Sequence, residues 1–85
     1  MTFSAQNLAE LEVLMLFGSP TGLEGIKVHS SAAPELIAAA QQLHADGFIT
    51  QADGGYLTQL GIEAAEHAHS LFYLLDSAAR ESGKA

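Results

Sequence analysis

The sequence predicts one small α+β domain, mainly α, ordered as helix, short strand, helix, β-hairpin and long C-terminal helix. Three observations lead there. The stretch Leu43 to Gly61, LHADGFITQADGGYLTQLG, reads as a helix end, two β-prone runs around an Asp-Gly-Gly turn, and a new helix start. Apolar residues recur at three-four spacing in the segments on either side of that hairpin. Finally, 85 residues with 48% hydrophobic content suffice for one core but not for two, so residues 1–85 are read as a single domain.

The first helix is expected from Ser4 or Ala5 to Phe17. Leu8, Leu11, Leu14 or Met15, and Phe17 or Gly18 at the end follow the spacing of one buried stripe, with Glu10 and Glu12 on the other side. Ser4 offers an N-cap, and Gly18-Ser19-Pro20 stops the helix. Between Thr21 and Ser30 two glycines disfavour a helix, while Ile26, Lys27 and Val28 alternate as a strand does. A strand is therefore placed at Gly25 to His29, with a bent helical turn before it at Thr21 to Gly25. Ser30 and Ser31 offer the next N-cap, and Pro34 suits a first helical turn. Leu36, Ile37, Ala40 and Leu43 then build an apolar face up to Ala45 or Asp46, where Gly47 takes the left-handed C′ position. Phe48-Ile49-Thr50 and Tyr56-Leu57-Thr58 flank the hairpin turn at Ala52 to Gly55, and Phe48 and Tyr56 are placed to touch across it.

Thr58 caps the last helix, which is expected to reach about Ala79, with residues 80–85 as a frayed tail. Its stripe of Gly61, Ala64, Ala68, Leu71, Leu75 and Ala78 resembles a coiled-coil seam. Such a helix is about 30 Å long at 1.5 Å per residue, whereas a domain of this size has a radius of gyration of only about 12 Å. Leu71, Phe72, Tyr73, Leu74 and Leu75 are moreover apolar on every side. No orientation hides all five in one small core, so the helix is expected to form a homodimer through Ala64, Ala68, Leu71, Phe72 and Leu75.

Charge narrows the choice of partners. Three cations, Lys27, Arg80 and Lys84, face ten carboxylates, for a net charge of −7. DNA affinity comes chiefly from Lys and Arg at phosphates, about 6–10 of them in a typical specific binder, so tight autonomous DNA binding is disfavoured. Anionic membrane surfaces are repelled on the same ground. The apolar run Val13 to Phe17 is far below the ~20 residues that span a bilayer. The amino terminus has no basic segment followed by an apolar run, so no signal peptide is expected and a cytoplasmic location is the default. With no cysteine, neither disulfides nor thiolate metal sites are available, and oligomerisation is the stabiliser left to so small a domain.

The pattern Leu43-x3-Gly47-Phe48-Ile49, the Gly54-Gly55 hairpin, and Tyr56-Leu57-Thr58-x2-Gly61-x2-Ala64 resembles the wing of bacterial winged-helix regulators of the MarR and PadR types. The match covers residues 36 to 65. The whole chain, including IKVHSSAAPELIAAAQQLH and GGYLTQLGIEAAEHA, is also similar to a family of small uncharacterised bacterial proteins, some of them described as DNA-binding or transcriptional regulators. The resemblance implies a winged-helix fold in which the helix before the wing reads DNA, with contacts from Ser30, Ser31, Gln41, Gln42 and Gln51. In those regulators the recognition helix and wing carry arginine and lysine. Here the helix from Ser31 to Asp46 has neither, the wing carries Asp53, and the helix that precedes the recognition helix has no counterpart between Gly18 and Ser30.

No catalytic signature is present: no cysteine nucleophile, no Gly-x-Ser-x-Gly, no HExxH, and no phosphate loop at Gly54-Gly55. His67 and His69 lie about 200° apart around a helix and cannot chelate one ion together. Glu63 with His67, and Glu66 with His69, read as surface pairs. His44 suits the negative end of its helix, and His29 packs at a strand end. The sequence is thus read as a non-enzymatic regulatory or adaptor module without cofactor or metal, acting on a protein partner and self-associating through its last helix. Direct DNA binding is the alternative. A further alternative is an acidic nucleic-acid mimic that occupies a basic partner.

Overall fold

A computed structural model describes residues 1–84, with side chains through Ala78. Its elements are α1 (Ala5–Leu16), β1 (Ile26–Lys27), α2 (Pro34–Ala45), β2 (Ile49–Gln51), β3 (Gly54–Leu57) and α3 (Gln59–Lys84). The three strands form one antiparallel sheet in the order β1-β3-β2. The fold is α+β, mainly α, in the expected order of helix, strand, helix, hairpin and helix.

Each helix start follows from local chemistry. At α1 a capping box closes: Asn7 N–H donates to Ser4 Oγ at 3.0 Å, and Ser4 N–H donates to Asn7 Oδ1 at 3.1 Å. At α2 the cap is Ala33, without a side-chain hydrogen bond, rather than Ser30 or Ser31. Those serines fall in a turn closed by Ala32 N–H to the His29 carbonyl at 2.9 Å. Pro34 at the first helical position explains the shift, since its fixed φ starts the helix and the donor it lacks needs no cap. The end of α2 is a Schellman motif, with Phe48 N–H on the Leu43 carbonyl and Gly47 N–H on the His44 carbonyl. Gly47 takes φ +86° there, as the sequence leads one to expect.

Between α1 and α2 the chain differs from expectation. No helical turn forms at Thr21 to Gly25, where the backbone only bends, and the strand shrinks to Ile26–Lys27. Glu24 substitutes for regular structure by accepting the Gly18 N–H at 2.6 Å. In the hairpin the turn is Ala52-Asp53, and Gly54 and Gly55 belong to β3. The register passes from Ile49 opposite Leu57 to Gln51 opposite Gly54, so β3 holds one extra residue as a bulge. Thr50 Oγ1 fills the bulge by accepting the Tyr56 N–H at 2.9 Å. Tyr56 lies exposed beside Gly25 while Phe48 packs on the core, so the aromatic contact expected across the hairpin does not form.

The buried core comprises Ala9, Val13, Leu14 and Phe17 of the α1 segment, Val28, Ala39, Ala40 and Leu43 of the α2 side, Ile49 and Leu57 of the hairpin, and Ala65 and Ala68 of α3. The face of α1 is only partly the expected one: Leu14 and Phe17 of the expected stripe are buried, and Ala9 and Val13 join them. Ala9, Val13 and Leu14 point inward, Leu11 and Met15 are half-buried, and Leu8 stays 53% exposed. Apolar residues on nearly every side of α1 leave its rotation to be set by tertiary packing, and the small Ala9 lets α1 close on α2.

The start of α3 is fixed to the end of α2. Thr58 N–H donates to the Phe48 carbonyl at 3.0 Å, Thr58 Oγ1 donates to the Gly47 carbonyl at 2.6 Å, and the same oxygen accepts the Gly61 N–H at 3.0 Å. A Cβ on Gly61 would run into the Phe48 carbonyl oxygen, whereas one on Gly47 would meet nothing within 4 Å. Two glycines thus serve different needs, and urea denaturation separates them. Gly61→Ala is expected to destabilise the domain by about 3 kcal/mol through a backbone clash. Gly47→Ala should cost only about 1 kcal/mol, through the left-handed φ alone.

Candidate functional site

The strongest surface feature lies where α1 and α3 come together. From Gln59 to Lys84, α3 holds 26 residues, about 39 Å of helix. The whole molecule measures 44 × 27 × 26 Å, with a radius of gyration of 13.6 Å. Ala68 is the last buried residue of α3 among the described side chains. Beyond it the helix leaves the core, carrying Leu71, Phe72, Tyr73, Leu74 and Leu75, every one of them exposed. Phe72 and Tyr73 meet edge to face, with ring centroids 6.0 Å apart. Residues 80–85, expected as a frayed tail, have side chains outside the described part, and Ala85 lies wholly outside it.

An open groove of about 710 Å³ runs between the two helices. One wall is Leu8, Leu11, Glu12, Met15 and Leu16 of α1, and the other is Ala68, Leu71, Phe72 and Leu75 of α3. Four of the five residues expected at a dimer contact are thus brought together. The fifth, Ala64, is half-buried on another side of α3, where it lines a small cleft with Leu14, Leu43 and Phe48. Ala68 belongs to the floor, being buried within the chain itself. The α1 wall is what sequence reasoning missed. Of the expected stripe, Leu14 and Phe17 are buried in the core, whereas Leu8, Leu11 and Met15 line the groove.

His69 ties the groove together. Its Nε2 lies 3.0 Å from the Phe17 carbonyl, which can only accept, so Nε2 carries the proton. The bond satisfies a carbonyl at the end of α1 and fixes that end against α3. His69 therefore acts as a junction residue rather than as half of a surface pair with Glu66.

The candidate nucleic-acid contacts are all exposed. Ser30 and Ser31 precede α2, Gln42 donates to Asp46 Oδ1 at 3.0 Å, and Gln41 shares a cleft with Asp53 of the hairpin turn. Gln51 ends β2. Val28 N–H donates to the Asp53 carbonyl at 2.7 Å, which brings the β1 end up to that turn. Lys27 pairs in register with Gly54 and is the one cation among the described side chains. The surface around α2 and the hairpin thus sets Asp46 and Asp53 against a single lysine.

Among the described residues no polar or charged side chain is buried, and no group of three His, Cys, Asp or Glu is placed to hold a metal ion. No helix among them is long and apolar enough to cross a membrane. The role of His69 is checked by comparing two alanine variants in urea. His69→Ala should lower stability by about 1 kcal/mol through the lost hydrogen bond, while the exposed His67→Ala should stay within about 0.5 kcal/mol of the parent.

Neither a curated protein nor a solved structure matches the chain. Residues 1–76, from the capping box of α1 through the whole apolar belt of α3, match the model of a family of unknown function (DUF5669), and the chain belongs to that family.

Proposed function

We propose that this protein is a non-enzymatic regulatory or adaptor module of winged-helix type that acts through protein contacts and self-associates by its C-terminal helix. The observation that carries this reading is the apolar groove between α1 and α3, continuous with the exposed belt Leu71 to Leu75. Contiguous apolar surface rimmed by polar residues is characteristic of protein–protein contact. The core gives a reason for it. Among the described residues, five of the twelve that are buried in the core are alanines, Ala9, Ala39, Ala40, Ala65 and Ala68, which bury little area each. A domain with so light a core gains stability by covering its groove in an assembly.

Direct DNA binding is the second reading, favoured by the placement of α2 directly before the hairpin. Two observations weigh against it. Between β1 and α2 there is only a single turn at residues 29–32, where a helix-turn-helix pair has a full helix. The charge beside the hairpin is also mainly negative, which opposes the counterion release that drives duplex binding.

Two measurements test these readings. In sedimentation equilibrium at tens of micromolar, the parent protein should be dimeric and Leu71→Asp monomeric, with unchanged helical circular dichroism. An unchanged assembly size in the variant would refute the assignment of Leu71. In fluorescence anisotropy at low salt, duplex DNA should bind no tighter than about micromolar. Sub-micromolar affinity for any duplex would promote the second reading over the first.

A further inference from the structure

We infer that the groove is occupied by the α3 helix of a second copy, with the two α3 helices antiparallel and the two-fold axis crossing them near Tyr73. This rests on the protein-contact reading of the α1–α3 surface and adds to it the occupant, the direction and the register.

The first argument is coverage. On one side α3 contributes Ala68, Leu71, Phe72 and Leu75 to its own groove. On the other side Tyr73 and Leu74 are 66% and 70% exposed. A foreign peptide seated in the groove covers the first set and leaves the second in water. In a two-fold pair each α3 is at once a wall of its own groove and the occupant of its partner's. It then meets its own α1 together with both α1 and α3 of the second copy, which covers a far wider arc of the helix. The contact is isologous, so it closes at two copies and leaves no second groove to recruit a third.

The second argument is charge along the helix. Residues 1–70 carry eight carboxylates against Lys27, a net of −7, whereas residues 71–85 carry Asp76 and Glu81 against Arg80 and Lys84, a net of zero. A parallel pair sets two strongly acidic bodies side by side. An antiparallel pair places the bodies at opposite ends of the paired helices and lays the neutral end of each α3, with its two cations, along the acidic body of the other. The belt runs from Leu71 to Leu75, so its midpoint is Tyr73. With the axis there, Arg80 comes level along the helix axes with the second copy's Glu66, and Lys84 comes within one residue of the level of its Glu63. Such attraction acts over about 8 Å at physiological salt, which suits neighbouring helices packed 8–10 Å apart.

Because the chain has no cysteine, single-cysteine variants can be spin-labelled without side reactions. Gln59→Cys and Ser77→Cys place labels at exposed positions of α3 near and far from its start. In the antiparallel pair the Gln59 labels lie about 40 Å apart along the axis and the Ser77 labels about 12 Å apart. The expected dipolar distances are thus long at Gln59 and within about 25 Å at Ser77. Short distances at both positions, or a long one at Ser77, would overturn the antiparallel arrangement while leaving self-association standing. Absence of intermolecular coupling in a protein that sediments as a monomer would overturn the self-association reading itself. Reversing both cations, Arg80→Glu with Lys84→Glu, should weaken the dimer several-fold at low salt, with the difference fading at 1 M salt. An unchanged dissociation constant at low salt would remove the charge argument.

Discussion

The direction of α3 is decided at a single backbone junction. Thr58 binds two consecutive carbonyls at the end of α2, those of Gly47 and Phe48, and its hydroxyl also caps α3 through Gly61 N–H. These bonds are short in sequence reach but long in consequence, because they pin the first turn of a 26-residue rod. A small angular error there would be magnified along about 39 Å of helix. The missing side chain of Gly61 lets the helix sit directly on the Phe48 carbonyl, closer than any other residue allows. Once that contact is made, Ala65 and Ala68 fall into the core, and Leu71 to Leu75 lie outside it.

From this junction the surface chemistry follows. The core is closed by small residues, so α1 packs closely on both α2 and α3 while comparatively little apolar area is buried. The larger apolar side chains of α1 and α3 are displaced to a second location, the groove between them. Leu8 and Leu16 stay half-exposed there, facing a helix whose next turns are equally apolar. The bond from His69 to the Phe17 carbonyl holds the two walls in register, so the groove belongs to the fold rather than to a loose tail. The family match to DUF5669 runs through residue 76 and thus takes in the belt as well as the core.

What could be read from the sequence divides along physical lines. The Gly47 cap, the Ser4 cap and the Thr58 cap were legible because each depends on one residue type at one place in a local hydrogen-bond pattern. The exposed belt was legible because five successive apolar residues cannot share one helical face. The rotation of α1 was not, because Leu8, Ala9, Leu11, Val13, Leu14, Met15 and Leu16 satisfy several three-four registers equally well. Only contact with α2 and α3 chooses among them. Hence the α3 wall of the groove was anticipated and the α1 wall was not. Residues 18–25 were illegible for another reason. Their order comes from Glu24 reaching back to Gly18, a pairing across six residues that no periodicity encodes.

The distribution of charge gives the last constraint. A helix that left the core with the same acidity as the body would be kept out of any second acidic body, however apolar its flanks. Here the acidity stops where the apolar belt begins, and the turns beyond it are neutral. Apolar attraction is short-ranged and indifferent to direction, whereas the charge gradient along α3 is directional. In the proposed pair, the belt is the source of affinity and the gradient is what favours the antiparallel sense. The same gradient disfavours a polyanionic partner at the hairpin end, where Asp46 and Asp53 flank the polar surface of α2.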